Sequence, residues 1–434
     1  MIKNIKANVS LILFLVFSLN SSFSHDTLIF NKSEAEALFL QNNLSLLTEN
    51  LSISKAEASL IQAKVWPNPT LTVDQVNLWK PNSNIQGQEL VPPISGDFGR
   101  NQQFGISIEQ LILTAGKRRK LMALEKVGIE KSKQYFEEVL RSLKIELRTQ
   151  LNQLNYLQTY KGIYENQLTS VNQLINAYKN QVDAGFLDKG EYIRLKALSL
   201  EILNDINNLE NERYAVEHNL KLLLNLPTAT HFELKSEGLK VNPEELVNLD
   251  IAALIDTAHN NRPEYKISKL QEDFAQKYLA IERAERIPNL SLIGEYNRGD
   301  AIYTDFIGFG VVMDLPVFNR NKGNIRIAEL EIQQAQLNQQ FVTSGIEKEV
   351  SLAVLQFRKA LEFAQQIDED YESELDQILN AYTHNFKNKN IDLIQYLDFL
   401  EAYLENKNII LQAALELRNK AEEINYSVGK DIIK

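Results

Sequence analysis

No cysteine occurs among the 434 residues. Disulfides, thiolate metal ligands and cysteine nucleophiles are therefore excluded, as is membrane attachment through an acylated cysteine. Histidine is scarce: His25, His218, His231, His259 and His384 are scattered along the chain, and their spacing matches no metal-binding motif. A surplus of basic charge is also lacking, and the formal net charge of -11 speaks against nucleic acid as a partner. No nucleophile stands beside a base, and no glycine-rich phosphate loop follows a strand, so neither an enzyme nor a cofactor is expected. Proline is sparse, and none falls between Lys117 and Asp183 or between Lys322 and Phe386. At a 1.5 Å rise per residue each stretch would form a helix of roughly 100 Å, far beyond the usual 8 to 20 residues.

Long apolar runs are missing except at the start. Lys3 and Lys6 precede the apolar residues 9–19, and Ser22, Phe23 and Ser24 precede His25, the layout of an export signal cleaved near Ser24. The alternative is a retained anchor, but the run is shorter than the roughly 20 residues a span needs. No transmembrane helix is expected in the mature chain.

What is present is a duplication. Ala177, Tyr178 and Tyr192 are answered by Ala381, Tyr382 and Tyr396. Trp66-Pro67-Asn68-Pro69-Thr70-Leu71 is answered by Ile287-Pro288-Asn289-Leu290-Ser291-Leu292, and Phe104-Gly105 by Phe309-Gly310. Repeats of this kind mark one structural unit used twice. The expected layout is a signal peptide at residues 1–24 and a first repeat at 25–226, with a strand pair at about 70–112 and a helical hairpin at about 116–225. A linker at about 227–250 leads to a second repeat at about 251–425, with a strand pair near 289–315 and a hairpin near 320–425; a tail follows at about 426–434.

The strand segments alternate with a period of two. Phe104-Gly105-Ile106-Ser107-Ile108-Glu109, Leu290-Ser291-Leu292-Ile293-Gly294-Glu295-Tyr296 and Ile307-Gly308-Phe309-Gly310-Val311-Val312-Met313 each put apolar side chains on one face, and Leu71 and Val73 begin a fourth, less regular strand. Lengths of about 9 to 11 residues suit tilted membrane strands. A soluble two-faced sheet is the competing reading. Four strands are too few to close a barrel, whose smallest bacterial forms have about eight, so a membrane reading requires several chains. The long polar connection at residues 79–99 is expected outside the cell, because outer-membrane barrels put their longer loops there.

After the strands come Lys117-Arg118-Arg119-Lys120 in one copy and Asn319-Arg320-Asn321-Lys322 in the other. These are either solvated turns or cations anchored at the headgroup layer. Leu140, Leu143, Ile145, Leu147, Leu151, Leu154 and Leu157 form one helical stripe, and Ile367, Leu375, Ile378 and Leu379 contribute to another; both read as seams for neighbouring helices. Gln150, Asn152, Gln153 and Asn155 between them suggest a wall wet on one side. Gly185, and Lys389 within Asn388-Lys389-Asn390, are the expected helix breaks.

Taken in order, Asn42-Asn43, Ala63, Pro67-Asn68-Pro69, Asn260-Asn261-Arg262-Pro263, Pro288-Asn289-Leu290-Ser291-Leu292 and Leu315-Pro316-Val317-Phe318-Asn319-Arg320-Asn321 resemble the TolC-type outer-membrane efflux family over nearly the whole mature chain. The resemblance implies a mainly α chain with a membrane β-barrel. Three copies would each give four strands to a shared barrel of twelve, continued by a long helical tunnel in the periplasm. It further implies a homotrimer in outer-membrane lipid, working with a periplasmic adaptor (membrane fusion protein) and an inner-membrane pump, or alternatively serving one-step protein secretion. Glu109-Gln110 and Thr114-Ala115-Gly116-Lys117-Arg118 look closer to the heavy-metal branch of resistance-nodulation-division (RND) pumps. By the same resemblance Glu191, Gln395 and Asp398 fall at the periplasmic gate, and Gly185, Phe186, Lys389 and Asn390 at the tips that meet the adaptor. Gln395 departs from the acid expected there, and ordinary solvated helix charges are the competing reading of Glu191 and Asp398. A periplasmic adaptor or coiled-coil protein is the rival architecture, but adaptors have one helical hairpin and this chain has two.

Overall fold

A computed structural model describes residues 27–77, 103–186, 188–235, 249–298, 305–368 and 370–433. The export segment, the expected outer loop at 79–99, residues 299–304 of the second hairpin tip and 236–248 of the linker lie outside the described residues. In chain order the elements are β1 (Thr27–Phe30), α1 (Lys32–Asn42), α2 (Leu44–Lys64), β2 (Thr70–Asn77), β3 (Gln103–Ile112), α3 (Lys117–Asp183), α4 (Lys189–Leu224), β4 (His231–Leu234), α5 (Ile251–Asn261), α6 (Pro263–Glu285), β5 (Leu290–Arg298), β6 (Asp305–Met313), α7 (Lys322–Ala364), α8 (Tyr371–Lys387) and α9 (Leu393–Val428). They divide into two compact units, one of residues 48–138 and 262–346, the other of the remainder.

The first of these units holds an antiparallel sheet of order β2-β3-β5-β6. Its register makes the period-two pattern a property of the whole sheet. Val73, Ile106, Tyr296 and Ile307 lie in one row, and Leu71, Ile108, Gly294 and Phe309 in the next. The opposite face carries Thr72, Ser107, Glu295 and Gly308, then Asp74, Gly105, Asn297 and Phe306. Because successive side chains point to opposite faces, one face is apolar and the other is mainly polar or small, with Phe306 at one end and Ile293, Leu111 and Val312 toward the other as apolar exceptions. The apolar face is uncovered: Phe309 is 90 % exposed, and Leu71, Val73, Ile307 and Val311 are also exposed. Gly105 lets polar side chains cross the other face, since a Cβ there would lie 2.2 Å from Asp74 Oδ1 and 2.8 Å from Asn297 Oδ1.

In its first two members the basic run after β3 is engaged by the fold itself rather than simply solvated. Lys117 is buried, with Nζ 2.9 Å from both Asn289 Oδ1 and Glu285 Oε2. Arg118 donates to the Lys64 carbonyl at 2.8 Å and lies 4.2 Å over the Trp66 ring. A cation that finds a carboxylate and an amide inside the fold is held there, because leaving it buried and unpaired is expensive. Arg119 remains exposed. The two helix starts match: Gly116 (φ +67°) accepts from Lys120 N, and Asn321 (φ +55°) from Ile325 N.

In the other unit β1 and β4 form a short parallel pair, Thr27 facing His231 and Phe30 facing Leu234. Asn31 closes the start of α1 with a reciprocal capping box to Glu34. The stripe on α3 is buried as expected at Leu147, Leu151, Leu154 and Leu157. The wet side expected for the same stretch is only partly kept: Gln150 and Gln153 are half-buried, whereas Asn152 and Asn155 are buried. Asn152 Nδ2 donates to Asn419 Oδ1 at 3.0 Å and Tyr156 Oη to Asn408 Oδ1 at 2.7 Å, so polar groups inside this packing are satisfied by α9 rather than by water. Arg148 gathers three carboxylates: Nε reaches Glu36 at 2.6 Å, Nη1 reaches Glu422 at 2.8 Å, and the fork reaches Asp431 at 2.9 Å twice. Asn425 completes the tie, taking the Ile432 and Ile433 amides on Oδ1 and donating from Nδ2 to the Ile433 carbonyl.

The copies differ in one long helix. α3 runs 67 residues without interruption, whereas the proline-free stretch expected to match it is cut into α7 of 43 residues and α8 of 17. Across the gap Gln366 and Ile367 bond back to the third preceding carbonyl, and Tyr371 to Asp368. Charge explains the site of the cut. Asp368, Asp370, Glu372 and Glu374 would sit badly at a helix C-terminus and well at an N-terminus, so the acidic run ends one helix and opens the next. Ile367 falls in this gap, half-buried, while Leu375 and Leu379 pack.

Candidate functional site at the helical tips

Each hairpin turns through the same hydrogen-bonded cap. At the end of α3, Gly185 N donates to Val182 O at 3.0 Å and Phe186 N to Gln181 O at 2.9 Å; at the end of α8, Lys389 N donates to Phe386 O at 3.0 Å and Asn390 N to Asn385 O at 2.9 Å. These pairs are the Schellman motif, which needs a left-handed residue. Gly185 supplies it at φ +76° and Lys389 at φ +61°. The other ends of the hairpins close alike, with Asn225 at φ +50° and Gly429 at φ +75°. The duplication is thus visible in four matched caps.

The returning helices begin on aspartates. Asp188 accepts from Gly190 N at 3.2 Å. Asp392 accepts from Gln395 N at 2.8 Å while the Gln395 side chain accepts from Asp392 N at 3.1 Å. Gln395, expected at the gate, is therefore folded back into a capping box, and an amide does that work as well as an acid. Its counterpart Glu191 is half-buried, and Asp398 is exposed.

Aromatic rings join the two copies at this end. Phe386 stacks between Tyr178 (5.4 Å, 15°) and Tyr396 (4.9 Å, 9°), and Tyr382 stacks on Phe399 at 4.2 Å. All three residues of the first stack are buried. Burial, with the Glu191 charge as a smaller cause, pushes the Tyr178 hydroxyl up to about 12. Tyr396 is raised by burial as well; Thr383 beside it donates to the Leu379 carbonyl, and the Tyr396 hydroxyl makes no bond of ordinary geometry. Stacked rings of this kind add about 0.5–1.5 kcal/mol per pair beyond burial, so the stack ties the first hairpin to the second.

Of the residues expected at the tips, the fold gathers Gly185, Phe186, Lys389 and Asn390 into the two caps, with Phe186 79 % exposed. Ile193 and Ile394 are exposed alongside. The stack was missed in the sequence reading, although Tyr178, Tyr382 and Tyr396 were already marked by the repeat. Among the described residues no group of histidine and acidic side chains is arranged to hold a metal ion, and no helix is long and apolar enough to cross a membrane.

No protein-family model matches the sequence. No curated protein matches it either. Solved structures do match in fold. The chain is similar to the CmeC outer membrane channel of Campylobacter jejuni at a TM-score of 0.71 and 15 % identity, covering 95 % of this chain and 91 % of that one. It is similar to CusC, described for its conformational changes on folding and transmembrane channel formation, at 0.69 and 17 %, covering 95 % and 96 %. The open-state MtrE outer membrane channel of Neisseria gonorrhoeae follows at 0.69 and 15 %, covering 93 % and 89 %. The fold is that of the TolC-type outer-membrane channels.

Proposed function

We propose that the protein is the outer-membrane exit duct of a tripartite efflux pump, a passive trimeric channel. Its helical hairpins extend through the periplasm to an adaptor (membrane fusion protein) and an inner-membrane pump of the RND class. The observation that carries this reading is the four-stranded sheet with one exposed apolar face and two outer strands, β2 and β6. In lipid an open edge leaves backbone groups unsatisfied at several kcal/mol each, so only closed barrels survive there. Within the chain β3 joins copy one to copy two by pairing with β5. The repeat calls for the same joint between β6 and β2, and only another copy can supply it. Carried across by the repeat, this register puts odd residues opposite odd ones, so Leu71 and Val73 share a face with Ile307, Phe309, Val311 and Met313. The apolar surface then continues around the barrel toward lipid, and three copies give twelve strands.

At the tips, threefold symmetry would turn Glu191 and Asp398 into acidic rings that favour cations. Gln395 contributes no charge, and its capping box keeps it out of such a ring. Phe186 and the two caps present the surface for the adaptor. In planar bilayers the channel prefers cations, and Glu191→Gln with Asp398→Asn weakens that preference; unchanged selectivity removes both residues from the gate. Fractionation tests the larger reading: the protein stays with the outer membrane and migrates as a heat-dissociable trimer, whereas a soluble periplasmic monomer overturns it.

A further inference from the structure

One joint of the repeat is made inside the chain and its counterpart is not. The start of α3 grips the segment leading from α6 into β5: Lys117 reaches Asn289 and Glu285, and Thr114 Oγ1 donates to the Pro288 carbonyl. Farther along, Lys131 donates to Gln271. By the repeat Lys322 opens α7 as Lys117 opens α3, and Asn68 follows Pro67 as Asn289 follows Pro288. Lys322 and Asn68 are both exposed, and they flank opposite outer strands of the sheet, Asn68 just before β2 and Lys322 after β6.

The same transfer carries Lys131 onto Gln336 and Gln271 back onto Asn50, which sets an antiparallel register between α7 and α2. In that register Leu337 comes opposite the turn holding Leu51, and Ile327 opposite the turn holding Ile61. All four are exposed. The connection into α7 is also longer than its counterpart and carries Leu315, Val317 and Phe318, the last 99 % exposed. On the other flank an open cavity of about 420 Å³ is lined by Val65, Trp66, Pro67, Leu113 and Leu121, with Arg118 over the Trp66 ring. Two apolar pairs brought together by this register, beside an open cavity with uncovered apolar walls, mark a surface that another chain would cover.

We infer that a second copy of this chain completes the joint. Lys322 of one copy donates to the Asn68 side chain of the next, Ile327 and Leu337 pack on Ile61 and Leu51, and Phe318 fills the cavity at Trp66. The inference rests on the shared-barrel reading and adds which residues of neighbouring copies meet. Because the chain has no cysteine, Asn68→Cys with Lys322→Cys introduces the only two thiols. Outer membranes carrying this variant are treated with a short bis-maleimide. The expected result is a denaturing-gel ladder of two and three linked chains, with neither single variant linking. Ile61→Cys with Ile327→Cys is the second pair should the first disturb assembly, and it is expected to link likewise. Phe318→Ala lowers the temperature at which the trimer dissociates and Phe318→Leu largely restores it. No ladder from either pair, while the cysteine-free protein still migrates as a trimer, overturns this joint and leaves the shared barrel standing. Absence of the trimer in the cysteine-free protein overturns both.

Discussion

Arg148→Met should unseat the clasp that holds α1, α3, α9 and the residues after α9 together. The guanidinium side chain is 10 % exposed and serves Glu36, Glu422 and Asp431 at once. Removing it leaves Glu422, 8 % exposed, with Lys32 at 2.6 Å, and leaves Asp431 with Lys144 at 2.9 Å. Glu36 loses the arginine, but it is more exposed than Glu422 and rehydrates. Breaking a buried ion pair from one side costs about 3–5 kcal/mol, and the two surviving lysines argue for the lower end, about 3 kcal/mol. Circular dichroism during chemical denaturation would read this as an earlier loss of helix. A loss below about 1 kcal/mol would refute the reasoning, because that is the range of an exposed pair. Acid offers a second view of the same cluster. Burial works to raise the Asp431 carboxyl, but hydrogen bonds and charge from Arg148 and Lys144 overcome it and hold it at about 2, below the ordinary aspartate value of about 3.9. A depressed carboxylate contributes fully above its unfolded pKa and loses that contribution as pH falls through the folded one. The loss therefore falls between about pH 4 and pH 2. With Asp431 43 % exposed, the effect is about 1 kcal/mol, and Asp431→Asn should flatten the profile in that window.

Two further expectations concern the hairpins. Gly185→Ala should lose about 1–2 kcal/mol through its left-handed backbone alone, because nothing lies within 4 Å of the new Cβ, whereas Lys389→Gly should gain a fraction of that; denaturation of the two variants in the same direction would count against the cap argument. Lys407, 4 % exposed, is held by Glu372 at 3.1 Å and Asp376 at 2.9 Å, both about half exposed. Lys407→Met should therefore be milder than Glu372→Ala with Asp376→Ala, which strands a buried cation at about 3 kcal/mol or more, and the reverse order in thermal melts would contradict the burial asymmetry.

Periodicity and punctuation carried most of the fold. The two-residue alternation around Ile106, Tyr296 and Phe309 located the strands and the face they share, because pleat geometry leaves no other choice. Gly185 was legible as a helix break, since few residues tolerate the left-handed cap, and Lys389 through its match to Gly185 in the repeat and its asparagine neighbours. What stayed hidden depends on partners distant in sequence. Lys117 and Arg118 read as surface charge until Glu285, Asn289 and Trp66 came beside them. Asn152 read as part of a wet face until Asn419 of α9 came beside it. The cut between α7 and α8 carries no proline to announce it; its signal is the acidic run around Asp370. At the tips the repeat marked Tyr178 and Tyr396, but Phe386, which joins them, has valine at the matching place in copy one.

The central claim is closure of a shared barrel by three chains. Native mass spectrometry of the full chain, extracted from the outer membrane in mild detergent, tests it most directly: the account predicts a mass of three copies, and a single-copy mass under conditions that preserve the fold would contradict it.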